Sequence, residues 1–202
     1  MYGPVAETST RARSDARGGP ILGTRPRHPP RVGRHGYRGT VTLRIRPATP
    51  ADAERVVDIW APGWRDGHLG HVPEALLAHR TREAFVPRVA AAIPRTRVAE
   101  VDGVIAGFTM TAGDEVDQVY VDPAFRGTGV AAALLADAAD AVRAAGHPVP
   151  WLAVASGNAR ARHFYEREGW TDAGEFAYAA EIGADASVPV SCHRMELRPA
   201  RA

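Results

Sequence analysis

Apolar residues alternate with threonine and arginine from Val41 to Arg46, the period of a half-buried strand. The period then lengthens. Thr49, Pro50 and Asp52 supply an N-cap, a first-turn proline and an early acid, and Ala53, Val56, Val57 and Trp60 give the following helix one apolar face. From Ala61 to Val72, glycines interspersed with Trp64, Asp66, His68 and His71 read as a loop. Pro73 to Ala92 is helical again, broken near Thr81, which caps a piece carrying Phe85, Val89 and Ala92; Pro87 removes a hydrogen bond inside that piece.

Strand periodicity returns at Thr96. Thr96 to Val101 and Val104 to Thr111 flank Asp102-Gly103, a strong short-range hairpin signal, and Gly113-Asp114 leads into a third strand from Glu115 to Val121. Val130, Leu134, Leu135, Ala138 and Val142 then recur at helical spacing until Gly146 and Pro148 stop the helix. Val149 to Ala155 is a short apolar run, expected to lie parallel to the preceding strand because a helix separates the two. Asn158 to Glu168 forms a helix ended by Gly169, and strands over Thr171 to Ala180 and Val188 to Leu197 close the chain. This order predicts an α+β fold: a mixed, mostly antiparallel central sheet with helices on both faces.

Composition adds a boundary. Residues 1–40 are rich in Arg, Pro, Gly, Ser and Thr and lack apolar periodicity, so they are expected to form a flexible leader ahead of a single domain at 41–202. The leader holds eight arginines against Glu7 and Asp15, whereas the remaining 17 arginines face 21 acids, so the formal charge of +2 hides a local basic tail. Such a tail can neutralise nucleic-acid phosphates; a solvated tail is the simpler expectation, and nucleic acid is not an expected partner. No run approaches the roughly 18 apolar residues of a membrane span, nor does the leader contain a secretory core of about 7–15, so no membrane partner and a cytoplasmic location are expected. Cys192 stands alone, excludes an internal disulfide, and reads as an ordinary strand cysteine.

The chemistry concentrates after the third strand of the meander. Asp122-Pro123 opens a turn, and Arg126-Gly127-Thr128-Gly129-Val130-Ala131 enters the long helix, leaving backbone N–H groups able to hold an anion beside a permanently charged guanidinium. A dinucleotide-binding reading of Gly127-x-Gly129-x-x-Ala132 fails. Four residues separate strand from glycine, and the region around Val149 to Trp151 lacks the required acid. No Gly-Lys-Ser/Thr loop occurs.

Arg126 to Ala131 resembles the Arg/Gln-x-x-Gly-x-Gly/Ala signature of the GCN5-related N-acetyltransferases. A second stretch, Asn158, Ala161, Phe164, Tyr165 and Gly169, resembles that family's Asn-x-x-Ala-x-x-Phe-Tyr-Glu-x-x-Gly-Phe signature, with Trp170 in place of the usual Phe. The two cover roughly Glu115 to Trp170, and the looser strand order extends to Thr42 to Leu197.

The resemblance implies an acyl-CoA N-acyltransferase-like fold. It also implies direct transfer of an acetyl group from acetyl-CoA, without a metal, to a primary amine of a small molecule or peptide. It places the donor against Val119, Val121, Arg126, Gly127, Thr128, Gly129, Val130 and Ala131, with Asn158 on the pantetheine arm and Tyr165 near the thioester sulfur as acid. An ammonium must lose its proton before it attacks, and Glu115 is the expected base, sharing a strand face with Asp117. Trp64, Asp66 and Asp117 are expected on the acceptor side, with His68 or His71 as further polar contacts. For each residue a plainer role stays open: Glu115 as a solvated carboxylate, Asn158 as a helix cap, Tyr165 as a core aromatic, Trp64 as a buried anchor. A homodimer is left open. The alternative function is a non-catalytic acyl-CoA-binding sensor or interaction module with a basic N-terminal tail.

Overall fold

The structure is a computed structural model that describes residues 42–183 and 186–199; the leader expected at 1–40 lies outside these residues. Seven strands form one sheet in the order β1-β2-β3-β4-β5-β7-β6. They are β1 (Leu43–Pro47), β2 (Thr96–Val101), β3 (Val104–Ala112), β4 (Glu115–Val121), β5 (Trp151–Ala155), β6 (Thr171–Gly183) and β7 (Ala186–Glu196). Every neighbouring pair is antiparallel except β4 and β5. At the β2–β3 turn, Asp102 and Gly103 take φ values of 50° and 80°, as a two-residue hairpin of primed type requires.

The parallel pair positions the site. β4 and β5 meet only at Glu115 and Trp151, with Trp151 N–H also donating to the Asp114 carbonyl at 3.1 Å. Beyond that point the strands part, while β5 stays paired to β7 from Trp151 to Ala155. A gap therefore opens in the sheet toward Val121 and Ala155. β4 also carries a bulge. Met110 faces Gln118 and Thr111 faces Val116, so Asp117 is the extra residue that bends the strand beside the gap.

Helices cover both faces. α1 (Ala53–His68) and α3 (Arg82–Ala92), joined by the single turn α2 (Glu74–Leu77), bury Val56, Trp60, Trp64, Phe85 and Val89 against Phe108 and Met110. On the other face α4 (Val130–Ala144) packs Leu135, Ala138 and Val142 against Val116, Leu152 and Met195, and α5 (Ala159–Arg167) joins that cluster through Ala161, Phe164 and Tyr165.

α1 departs from the sequence reading. The loop expected from Ala61 is helical to His68, with Pro62 and two glycines inside it. Burial of Trp60, Ala61 and Trp64 outweighs the weak helix propensity of those residues. Gly63 is required there by packing, since a Cβ would lie 2.8 Å from Cδ1 of Tyr120. The start of α1 is fixed as expected. Thr49 and Asp52 form a capping box, and Arg46 on β1 bonds both Asp52 and Glu100, holding the Asp52 carboxyl far below the usual carboxylate range. No helix among the described residues is long and apolar enough to cross a membrane.

Candidate active site

The gap between β4 and β5 is the mouth of a cavity of about 840 Å³. Its strand wall is polar by construction. Asp122 N–H donates to the Ala106 carbonyl on β3 at 2.8 Å; because antiparallel amides alternate in direction, the N–H groups of Val121 and Val119 point away from β3, toward the gap. The turn continues this edge. The Asp122 side chain accepts from Ala124 N–H at 2.8 Å, Thr128 Oγ1 donates to the Phe125 carbonyl at 2.6 Å, and Gly127 and Gly129 take φ values of 77° and 88°. Those left-handed conformations demand glycine and bring the chain into α4, whose first-turn amides have no intrahelical acceptor. The result is a run of N–H donors from β4 to α4, with the helix dipole favouring negative charge at its end.

Most of the residues singled out in the sequence line this cavity: Asp66, Glu115, Asp117, Val119, Val121, Arg126, Gly127, Gly129, Ala131, Asn158 and Tyr165. Three do not. Trp64 is buried in the α1–α3 core, stacked on His68 at 4.6 Å. Val130 is buried beneath α4, and Thr128 is spent on closing the turn.

Asp66 sits differently from its expected place beside an amine. One carboxylate oxygen pairs with Arg160 at 3.1 Å and with Arg126 at 2.9 Å, so it links the end of α1 to α5 and the glycine turn, and the two guanidinium groups lower its pKa. Asn158 has two engagements: its Oδ1 caps α5 by accepting from Ala161 N–H, and its Nδ2 donates to the Gly67 carbonyl at 3.0 Å. The end of α1 is thereby tied across the mouth of the cavity.

At the narrow end, where β4 and β5 touch, burial and the neighbouring charge of Asp117 push the Glu115 carboxyl up to about 7, with the Tyr178 hydroxyl donating a hydrogen bond to it. Asp117 itself pairs with Arg95 at 2.8 Å. Burial pushes the Tyr165 phenol up to about 12, so it keeps its proton at neutral pH. His68 is held neutral by burial; its Nδ1 lies 2.9 Å from the Trp64 carbonyl, which can only accept, so Nδ1 carries the proton and Nε2 is an acceptor.

Sequence reasoning did not single out Tyr178 for this site and placed Cys192 in an ordinary strand. Cys192 is a buried, free thiol, as an ordinary strand residue would be, yet it also lines the cavity, with its pKa pushed up to about 11 by burial and the charge of Glu115. It is a protonated wall residue, not a nucleophile. The alternation of Phe176, Tyr178 and Ala180 marks one face of β6, but only the β5-β7-β6 order brings that face to β4. Among the described residues no group of three or more His, Cys, Asp or Glu is placed to hold a metal ion.

A mostly antiparallel sheet, splayed at its one parallel pair above a glycine turn and a helix N-terminus, defines an acyl-CoA N-acyltransferase-like fold. The acetyltransferase (GNAT) family model matches residues 53–170, and the chain belongs to that family. Solved structures show the same fold. The GCN5-related N-acetyltransferase (Aminotransferase, Class-II) from Rhodopseudomonas palustris superposes with a TM-score of 0.59 at 20% identity over 82% of this chain and 99% of its own. yncA from Salmonella typhimurium, with its cofactor acetyl-CoA, gives 0.58 at 22% identity over 80% and 96%. The paia N-acetyltransferase from Thermoplasma acidophilum, in complex with coenzyme A, gives 0.57 at 16% identity over 78% and 99%. No curated protein matches the chain.

Proposed function

We propose that the protein is an acetyl-CoA-dependent N-acetyltransferase that moves an acetyl group directly onto a primary amine. The observation that carries this reading is the gap between β4 and β5, with its edge of unpaired amides running into the Arg126–Gly129 turn. An acyl-CoA matches those features in order. Its pyrophosphate suits the glycine turn and the first turn of α4, and its pantetheine amides suit the outward N–H groups of Val119 and Val121.

The chain's own groups then divide the chemistry. Glu115, with a pKa near neutrality, accepts a proton from the ammonium, directly or through water. As the amine nitrogen bonds to the thioester carbon, charge on the carbonyl oxygen is stabilised by a β4 amide facing the gap. The C–S bond breaks as the nitrogen releases its second proton to water, leaving a neutral amide, and Tyr165 donates a hydrogen bond to the departing thiolate. Saturable acetyl-CoA binding by calorimetry, with thiol release dependent on an added amine, is the expected result. Binding with no release over a broad amine panel would favour a sensor; absence of binding would remove the reading altogether.

Asp66 provides a separate test. Pyrophosphate must compete with its carboxylate for Arg126 and Arg160, a pair of contacts half open to solvent. Asp66→Asn is therefore expected to lower the Kd for coenzyme A by about 2–5-fold, the scale of an exposed ion pair. If Asp66→Asn instead raises the acceptor KM and leaves coenzyme A affinity alone, Asp66 serves the amine.

A further inference from the structure

The cavity is electrostatically divided. Every arginine lining it, Arg126, Arg160 and Arg167, comes from the glycine turn or α5, the side suited to a donor phosphate. The opposite end, around the start of β4, is lined by Val72, Leu76, Ala180 and Val190 with the rings of Tyr120 and Tyr178. Its charged side chains are the carboxylates of Glu115 and Asp117, to which the Tyr178 hydroxyl and the Gln118 amide donate, and the neutral His68 adds an acceptor at Nε2. Two further guanidinium groups stand outside this lining: Arg95, which is paired with Asp117 at 2.8 Å, and Arg80. The Arg80 guanidinium donates to the carbonyls of His79 and Glu181 and lies 5.7 Å from the Trp64 ring centroid.

This end is also tied shut. Arg80 and Arg88 both donate to the Glu181 carbonyl, at 2.7 and 3.0 Å, fixing the end of β6 to the helical side. Across the mouth, Asn158 holds Gly67, and His71 lies so close to Gly157 that a Cβ there would sit 2.4 Å from its Nδ1. These contacts fix the segments that border the cavity on the helical side and at its mouth.

We propose that the acceptor is a compact primary amine with an apolar or aromatic body and no carboxylate. This rests on the acetyltransferase reading of the same cavity. The ammonium meets Glu115, Asp117 and the acceptor nitrogen of His68, while the body packs between Tyr120, Tyr178 and the aliphatic wall. An α-carboxylate on the same amine would be buried beside two acids, with Arg95 already paired to Asp117 and Arg80 already bonded to backbone carbonyls, which is unfavourable on both counts.

The test uses the full chain, acetyl-CoA and a matched series: phenethylamine, phenylalanine, phenylalaninamide and an amidated peptide with N-terminal phenylalanine. Thiol release should be fastest with phenethylamine. Its kcat/KM should exceed that of phenylalanine by at least about 100-fold, the scale of burying an unpaired charge, and phenylalaninamide should recover most of the loss. The peptide should not rise above background. Phenylalanine or the peptide matching phenethylamine overturns this proposal while leaving the acetyltransferase reading intact; thiol release with none of the four, nor with any other amine, overturns both.

Discussion

Glu115→Gln is expected to lower kcat/KM by about 10²–10³-fold, the range of a lost general base, and to raise the melting temperature at pH 8. Both effects have one cause. The Glu115 carboxyl is pushed up to about 7 because it is partly buried and faces Asp117. A base with that pKa is half ionised at neutral pH, so the rate with an amine acceptor rises through pH 7. In the variant this limb should shift toward the amine's own pKa, ~10.4 for an alkylammonium. Stability moves the other way. The folded state keeps a proton that the unfolded chain releases near ~4.3, so stability falls as pH rises from there to about 7, and the penalty is fully present above. Glutamine carries no charge and can still accept from Tyr178, so Glu115→Gln removes that penalty at pH 8 and changes little at pH 4. Activity lost with stability gained is a signature that a solvated, structurally idle carboxylate would not give.

How legible this was in the sequence depends on how local each cause is. The glycine turn was readable because Asp122-Pro123, Gly127 and Gly129 each act within a few residues of themselves, through a side-chain bond to Ala124 or a positive φ. The meander and α4 followed from periodicity for the same reason. The end of α1 was not readable. Pro62, Gly63 and Gly67 look like loop residues until Trp64 is buried against α3 and Gly63 lies under Tyr120, a residue 57 positions away. The pairing of Asp66 with Arg126 and Arg160 is likewise hidden in the sequence, because those partners, distant in the chain, meet it only in the folded molecule. Tyr178 and Cys192 reach the cavity because β7 inserts between β5 and β6, a topological fact that alternation within one strand does not contain. Sequence pattern thus indicates the strand, turn and helix start along one side of the cavity, while the walls built from α1, β6 and β7 appear only in the folded chain.

Tyr165→Phe is expected to reduce kcat by about 10–100-fold while leaving the calorimetric Kd for acetyl-CoA nearly unchanged. The phenol of Tyr165, pushed up to about 12 by burial, is a weaker acid than coenzyme A's thiol, whose pKa resembles the ~8.5 of a cysteine. Full transfer of its proton to the thiolate is therefore uphill by more than three units, on the order of 5 kcal/mol. A hydrogen bond donated to the sulfur as charge develops carries no such cost, and burial strengthens it by excluding competing water. In the proposed reaction Tyr165 thus acts on the transition state as a donor, and the thiolate collects its proton later, from solvent or from Glu115. Because the bond strengthens only as the C–S bond breaks, its loss should appear in kcat and not in donor affinity. The Glu115 limb near pH 7 should persist in Tyr165→Phe, separating the two roles. An unchanged kcat would reduce Tyr165 to an aromatic wall between Phe164 and Trp170, and a weakened Kd would make it a donor-binding residue.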